Sequence, residues 1–496
     1  MKISDVTKLV LGKKSPYSNC MIIGIPVSFC IIFFVLASLS YQHVSPVGDT
    51  MLHYRVGEMI LGREWVSGDP FGWDGTMPIT SLNVLSDRAY LLIDSTPDYP
   101  EVFPLATLNR PYAASVPTIL MGSLIIFLIW LLTYRYMGLI PSVFSTLFAV
   151  FEPSLLGNSR WITTDIPAAL GFLSGLVVIV FYVDSKCHQM RWFLLLLVVI
   201  SLVQLTKVTN LLLLPFAALA IIHKEITISN CQYAALLFFS SAKILTLILS
   251  IILSLQIGYS GVDSKMYEAL ESEAVFLNEY APLLWGLRPV IPQMYTYSVA
   301  TAIAHNDQGH ATYFMGAHSS HGSFFYFPAL LLYKTPIPIL VLCFIAFYNI
   351  REMPKSILLV FIASIIYFLY FSLFVAVQIG HRHLLPVVPV MCVLVGFASA
   401  KLFKNTYTIR LLMGLVLWQI MIGLFSYPHY SSYFNPLIGG PYNAWKYFSD
   451  SNIDYDQDRN QVKEWIAKQN EHVHLNPDRP VKGLIVIRAL LLTGLT

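Results

Sequence analysis

Runs of about 17–25 apolar residues recur along this chain, the length that crosses a bilayer's hydrocarbon core as a helix. Lipid offers no partner to an open backbone group, so helices are the expected spanning element. Composition agrees: 56% of the 496 residues are hydrophobic and 12% charged, whereas a soluble domain carries about 25% charged residues. The first run, Met21–Ser40, follows Lys2, Lys8, Lys13 and Lys14. It is too long for a signal-peptide core and lacks a small-residue cleavage site, so it reads as an uncleaved span with a cytoplasmic N-terminus.

Further runs are Pro117–Tyr136, Leu139–Leu155, Ile166–Asp184, Trp192–Leu205, Val208–His223 and Ala234–Ile257, then Phe324–Asn349, Ser356–Val377, Leu384–Leu402 and Leu411–Ser426. The chain thus reads as an all-α polytopic membrane protein with about eleven transmembrane helices. Threaded alternately, the short loops assigned to the inside hold Arg135, Lys186, Arg191, Lys224, Arg351, Lys355, Lys401, Lys404 and Arg410, as the positive-inside rule asks. The outside receives two long loops, 41–116 and 258–322, and a small region, 427–496. Residues 1–426 form the transmembrane part. The apolar end Gly483–Leu495 reads as a core strand, a partial further span or a truncation scar.

No internal repeat is evident, which argues against a transporter built from two related halves. Cys20, Cys30, Cys187, Cys231, Cys343 and Cys392 all fall within spans or on the inner side, so no exported disulfide is expected. No Cys/His spacing suggests a zinc site. A net charge of +3 without a basic block gives no reason to expect a nucleic-acid partner.

Polar residues gather at outer loop–helix junctions. Asp49 opens a stretch, Met51–Leu61, able to lie along the membrane surface; its alternative role is to cap that helix. A polar hairpin carries Glu152, Arg160 and Trp161, and Asp165 starts the next span, two residues before Pro167, which is also good helix-start chemistry. Lys207 breaks an apolar run, either snorkelling or functional. His381, Arg382 and His383 lie between two spans, and Arg presents a planar fork suited to phosphate. Lys334 sits inside a span, where an unpaired cation is costly. His305, His310, His318 and His321 match no familiar metal spacing and read as polar loop residues. Trp73, Trp161 and the tyrosines near Tyr313 suit either a sugar ring or the interfacial aromatic belt.

Moving a sugar from a polyprenyl phosphate needs such a set on one face. A carboxylate takes the acceptor's proton, cations stabilise the departing phosphate, and apolar helices hold the isoprenoid.

The ordered segments Asp49–Gly62, Trp161–Pro167, Thr206-Lys207, Gly322–Pro338, Gly380–Pro389, Tyr433–Pro441 and Asp450–Asp458 resemble those of the GT-C membrane glycosyltransferases. That superfamily includes the protein O-mannosyltransferases and lipid A aminoarabinose transferases, and the likeness spans nearly the whole chain. It implies a GT-C fold and an inverting transferase that moves a monosaccharide from a polyprenyl-phosphate donor to an acceptor at the periplasmic face of a bacterial inner membrane. It further implies Asp49 as general base and Asp165 as a second acid that binds donor or acceptor. Lys207, Arg382 and Lys334 would contact the donor phosphate. His381, His383, Glu152, Arg160 and His321 are candidate substrate-binding residues. No cofactor or metal is expected, although paired carboxylates are able to hold one. Two departures stand out: Thr50 replaces a second acid after the first, and Asp454-Tyr455-Asp456-Gln457-Asp458 stands for an Asp-Trp-Gly-Gln-Asp pattern. The other readings are a transporter or flippase of lipid-linked sugars, which needs a polar path to the inner leaflet, and a non-enzymatic membrane assembly protein.

Overall fold

A computed structural model describes residues 19–64, 75–93, 111–186, 189–228, 233–263, 265, 286–287 and 289–494. Lys2, Lys8, Lys13, Lys14, Trp73, Cys187 and Cys231 lie outside these, as do parts of both long loops. The first helices are α1 (Asn19–Tyr41), α2 (Gly48–Ile60), α3 (Ser81–Ile93), α4 (Pro111–Met137), α5 (Leu139–Val150), α6 (Pro153–Ser159) and α7 (Asp165–Asp184). Next come α8 (Gln189–Val203), α9 (Leu213–Ile228), α10 (Tyr233–Gly258), α11 (Gln293–Gln308), α12 (Tyr326–Lys334) and α13 (Ile337–Tyr348). The last are α14 (Lys355–Phe374), α15 (Val388–Leu402), α16 (Thr406–Phe425), α17 (Arg459–Ala467) and α18 (Ala489–Leu492). Two small strand pairs complete the fold: an antiparallel hairpin, β1 (Thr312–Phe314) with β2 (Ala317–Ser319), and a parallel pair, β3 (Val473–Leu475) with β4 (Leu484–Val486).

The protein is a multi-pass helical membrane protein. Among the described residues, seven helices are long and apolar enough to cross a bilayer, or up to nine if the bent pairs α5/α6 and α12/α13 each count as one span. Each of the eleven runs read from the sequence coincides with helix. However, α8 and α15 have 15 residues apiece, short for a hydrocarbon core of ~30 Å. By length and composition, seven to nine crossings are countable among the described residues, against about eleven runs in the sequence.

The centre of the bundle is α7 and α15, which are buried almost throughout. Helices apolar on every side suit such interior positions. Close approach helps: a Cβ on Gly396 of α15 would lie 2.8 Å from the Pro141 carbonyl oxygen in α5.

The bend between α12 and α13 reaches 113° and has a local cause. Pro336 forces Thr335 into extended backbone, ending α12 at Lys334. The break strips carbonyls of their helical partners. Asn435 meets two of them, donating from Nδ2 to Leu332 O at 2.7 Å and Thr335 O at 2.9 Å, and its backbone N–H bonds Tyr333 O. Lys334 reaches the other way, to Ser431 O at 2.5 Å and Asn452 O at 2.7 Å, with Phe434 under its ammonium at 4.5 Å.

The beginning of region 427–496 is therefore locked into the polar end of the bundle. Ser45 N–H bonds Gln457 O, Asn460 N–H bonds Ser45 Oγ, and Phe448 bridges Phe314. The apolar stretch after Gly483 forms a short, half-exposed strand and then one turn of helix.

Replacing Asn435 by Ala leaves carbonyls at the break without donors. We expect a loss of about 1–3 kcal/mol, read as a lower Tm of the purified protein in detergent.

Candidate active site

A cavity of about 530 Å³ opens at the end of the bundle where α7 begins. Asp49, Asp165, Lys207, Arg382, His383 and Tyr455 line it, from five separate stretches of chain. Neither acid is a cap. The N-cap of α2 is Val47 and Asp49 is the second helical residue; the N-cap of α7 is Thr164 and Asp165 is the first. Their carboxylates turn instead to cations. Lys207, just before the 3-10 turn Val208–Leu212, places Nζ 2.6 Å from Asp165 Oδ1. Arg382, in the 3-10 turn His381–Leu384, places Nη1 2.5 Å from Asp49 Oδ2.

A third member joins the second pair. The Tyr455 hydroxyl contacts both Asp49 Oδ2 and Arg382 Nη1, and the guanidinium lies 4.9 Å over the Tyr455 ring. That ring meets Trp161 edge-on at 5.7 Å. Trp161 is buried at 2% exposure, between Tyr455 and the Arg160 guanidinium, so it supports the site's wall and offers no face to a sugar.

Burial would raise the Asp49 carboxyl, but Arg382 beside it, with smaller help from His53 and Tyr455, holds it below the usual carboxylate range. Burial keeps His53 below its ordinary value despite the nearby Asp49. Asp450, further along the wall, is raised by burial, which Arg382 only partly offsets. Asp49 is thus ionised at neutral pH and His53 neutral.

The remaining sequence candidates separate. His383 lines the cavity, its ring stacked on Phe327. Lys334 and His381 do not reach it; they line a small neighbouring recess behind Arg382 and Tyr455. With Lys334 committed to two backbone carbonyls, the structure removes it from the residues facing the cavity. Glu152 caps α6 through Leu155 N at 2.7 Å. Arg160 is fully buried and donates to Pro428 O at 2.6 Å and Ser431 Oγ at 3.2 Å. His321 pairs with Ser320 on the exterior. These three are structural neighbours of the site, outside its lining.

Sequence reasoning passed over His53, read His305 and His310 as polar loop residues, and met Asp450 and Tyr455 only within the Asp450–Asp458 segment; all five are in the wall. The Asp49–His53 spacing of four residues puts both on one helix face, and that signal was available. His310 faces His305 at 3.1 Å and Asp450 at 3.9 Å, an arrangement that only the fold brings about. Among the described residues, no group of three or more His, Cys, Asp or Glu is placed to hold a metal ion.

Beside the polar cavity runs an apolar groove of about 850 Å³, lined by side chains such as Met121, Leu124, Leu170, Leu202, Leu205 and Ile257. Thr206 and Pro167 belong to the groove, whereas Lys207 and Asp165 belong to the cavity. One residue along the chain separates the two environments at Lys207.

This helical frame is shared with solved membrane proteins. ArnT from Cupriavidus metallidurans, solved bound to undecaprenyl phosphate, matches with a TM-score of 0.52 at 15% identity, over 86% of this chain and 69% of that one. The fold is that of the GT-C glycosyltransferases. AglB from Archaeoglobus fulgidus, an archaeal oligosaccharyltransferase in complex with an inhibitory peptide and a dolichol-phosphate, matches with a TM-score of 0.51 at 14% identity, over 87% of this chain and 57% of its own length. The family model described as dolichyl-phosphate-mannose-protein mannosyltransferase matches residues 107–251, the stretch that carries Asp165 and Lys207. No curated protein sequence matches the chain.

Lys207→Met should strand the Asp165 carboxylate, whose side chain is 4% exposed. A loss of about 3–5 kcal/mol is expected for such a buried, unpaired charge. In a thermal melt, the double variant with Asp165→Asn should recover much of it.

Proposed function

We propose that the protein is an inverting glycosyltransferase that moves a monosaccharide from a polyprenyl-phosphate donor to an acceptor hydroxyl. The observation that carries this reading is the meeting, at Thr206-Lys207, of a polar cavity holding two cations with a long apolar groove. A ligand with an anionic head and a hydrocarbon tail fits both at once. The lipids bound in the ArnT and AglB structures, undecaprenyl phosphate and a dolichol-phosphate, are of that class.

In the proposed reaction, the acceptor oxygen attacks the anomeric carbon while its proton passes to the Asp49 carboxylate. The bond from that carbon to the phosphate oxygen breaks, and the charge gathering on the departing lipid phosphate is met by Arg382 and Lys207. A single displacement inverts the anomeric centre. Asp165 holds Lys207 in place and presents a carboxylate to a hydroxyl of donor or acceptor. No metal or other cofactor enters the scheme.

The short basic loops support a bacterial inner-membrane orientation with the cavity on the periplasmic side. Tyr136 and Ser356 both bond Asp184, and Lys224 bonds Val183 O, all at the end of α7 opposite Asp165. Arg135 and Lys355 neighbour that cluster in sequence, so the cationic loops lie away from the cavity, as the positive-inside rule asks of a cytoplasmic face.

The test is sugar transfer or release by purified protein in lipid, over a panel of polyprenyl-phosphate sugars with a periplasmic extract as acceptor. Asp49→Asn should lower turnover by about 10²–10⁴-fold with the melting temperature held. Because the free enzyme keeps the Asp49 carboxyl low, the acid limb of kcat/KM should lie below the ordinary aspartate value of about 3.9. Arg382→Gln should move that limb upward. Absence of turnover with every donor would overturn the reading.

A further inference from the structure

The cavity poses an electrostatic difficulty for an anionic ligand. Its lining holds two fixed cations, Lys207 and Arg382, against three carboxylates, Asp49, Asp165 and Asp450. Each cation already sits on a carboxylate. A phosphate that binds there must take a cation from its partner, because desolvated like charges crowded on one cation repel.

Arg382 is the partner better suited to the exchange. Its Nε is buried and has no hydrogen-bond partner among the described residues, so the guanidinium keeps an unused donor that a turn away from Asp49 would bring to a ligand. Asp165 is more deeply enclosed than Asp49, at 4% against 19% side-chain exposure, and leaving it without Lys207 is the costlier change.

Losing Arg382 would free the Asp49 carboxylate to act as a base and also free it to rotate. Tyr455 is placed to prevent the second. Its hydroxyl donates to the carboxylate and accepts from Arg382, so the bond to Asp49 survives when the guanidinium leaves. The tyrosine is itself held without Arg382. Its backbone N–H bonds Gln457 Oε1 at 2.6 Å, Gln457 Nε2 bonds Ile453 O at 2.8 Å, and Trp161 backs the ring.

We propose that Tyr455 is a positioning residue for Asp49, keeping the carboxylate aimed at the acceptor when the donor phosphate draws Arg382 away. This rests on the donor reading above. It makes donor binding the event that releases the base, so transfer is ordered, donor first. The groups facing Asp49 are Arg382 and Tyr455 from two other segments and His53 from its own helix, with Asp165, Lys207, His383 and Asp450 around the same cavity. All except the altered one are common to wild type and each variant.

The experiment measures binding of undecaprenyl phosphate to wild type, Asp49→Asn and Tyr455→Phe in nanodiscs from about pH 4 to about pH 8, with kcat and KM wherever a donor turns over. Asp49→Asn should bind roughly fivefold tighter or more, since Arg382 no longer has to leave a carboxylate. For Tyr455→Phe, melting temperature and neutral-pH affinity should match wild type. Its affinity should rise more steeply as the pH falls, because Asp49 stripped of both partners in the complex takes up a proton at a higher pH. The titration of the lipid phosphate itself is the same in both. With a working donor, kcat of Tyr455→Phe should fall about ten- to a hundredfold, the worth of a hydrogen bond to a charged group, with donor KM nearly unchanged. Asp49→Asn binding no tighter than wild type overturns the exchange. Identical pH dependence of wild type and Tyr455→Phe overturns the role of Tyr455. Neither arm needs turnover, so a failure of the donor reading, seen as no transfer with any sugar, remains distinct from a failure of this one.

Discussion

The organisation of the polar end follows from one constraint, that backbone groups freed by a broken helix must find partners within the protein where lipid supplies none. Pro336 breaks the α12/α13 crossing, and the carbonyls left over are met by Asn435. Lys334, the last residue before the break, in turn fixes the backbone at Ser431 and Asn452. Residues 431–452 are thereby pinned to the bundle from both sides. Tyr455, three residues beyond Asn452, inherits its position. The cavity wall formed by Asp450 and Tyr455 is thus a result of how a transmembrane kink is satisfied.

That link explains why Lys334 reads so differently in sequence and in structure. A lysine inside an apolar run is costly unless it has a task, and the family resemblance offers phosphate binding as that task. The structure gives it a different one, as a donor to two backbone carbonyls. Glu152 and Arg160 follow the same pattern: polar residues in a hairpin near the site, occupied with capping α6 and with bonding the chain at Pro428.

What was legible in the sequence was whatever rests on local periodicity. The apolar runs marked every helix long and apolar enough to cross a bilayer, and the polar breaks at Asp49, Asp165, Lys207 and Arg382 marked the four side chains that meet in two ion pairs. Apolar composition and crossing length part company at α8 and α15, which carry the composition of a span in 15 residues. Partners set by long-range packing were beyond local reading. Nothing near Tyr455 announces that its hydroxyl will rest on a carboxylate 406 positions earlier, and the His305–His310–Asp450 wall depends on where α11 and the C-terminal region come to lie.

The sequence separations of the two ion pairs carry a consequence for how the chain is made. Asp165 and Lys207 lie 42 positions apart, so they can meet while the ribosome is still engaged with the first half of the protein. Asp49 must wait for Arg382, 333 positions later, and then for Tyr455. During that interval the nascent chain keeps an unneutralised carboxylate at the membrane surface beside a half-built bundle. Asp49 at the rim of α2, outside every span, can stay hydrated through the wait, which an acid within a crossing could not. The order of synthesis thus favours an acid on a surface helix as the member of the site whose partner arrives last.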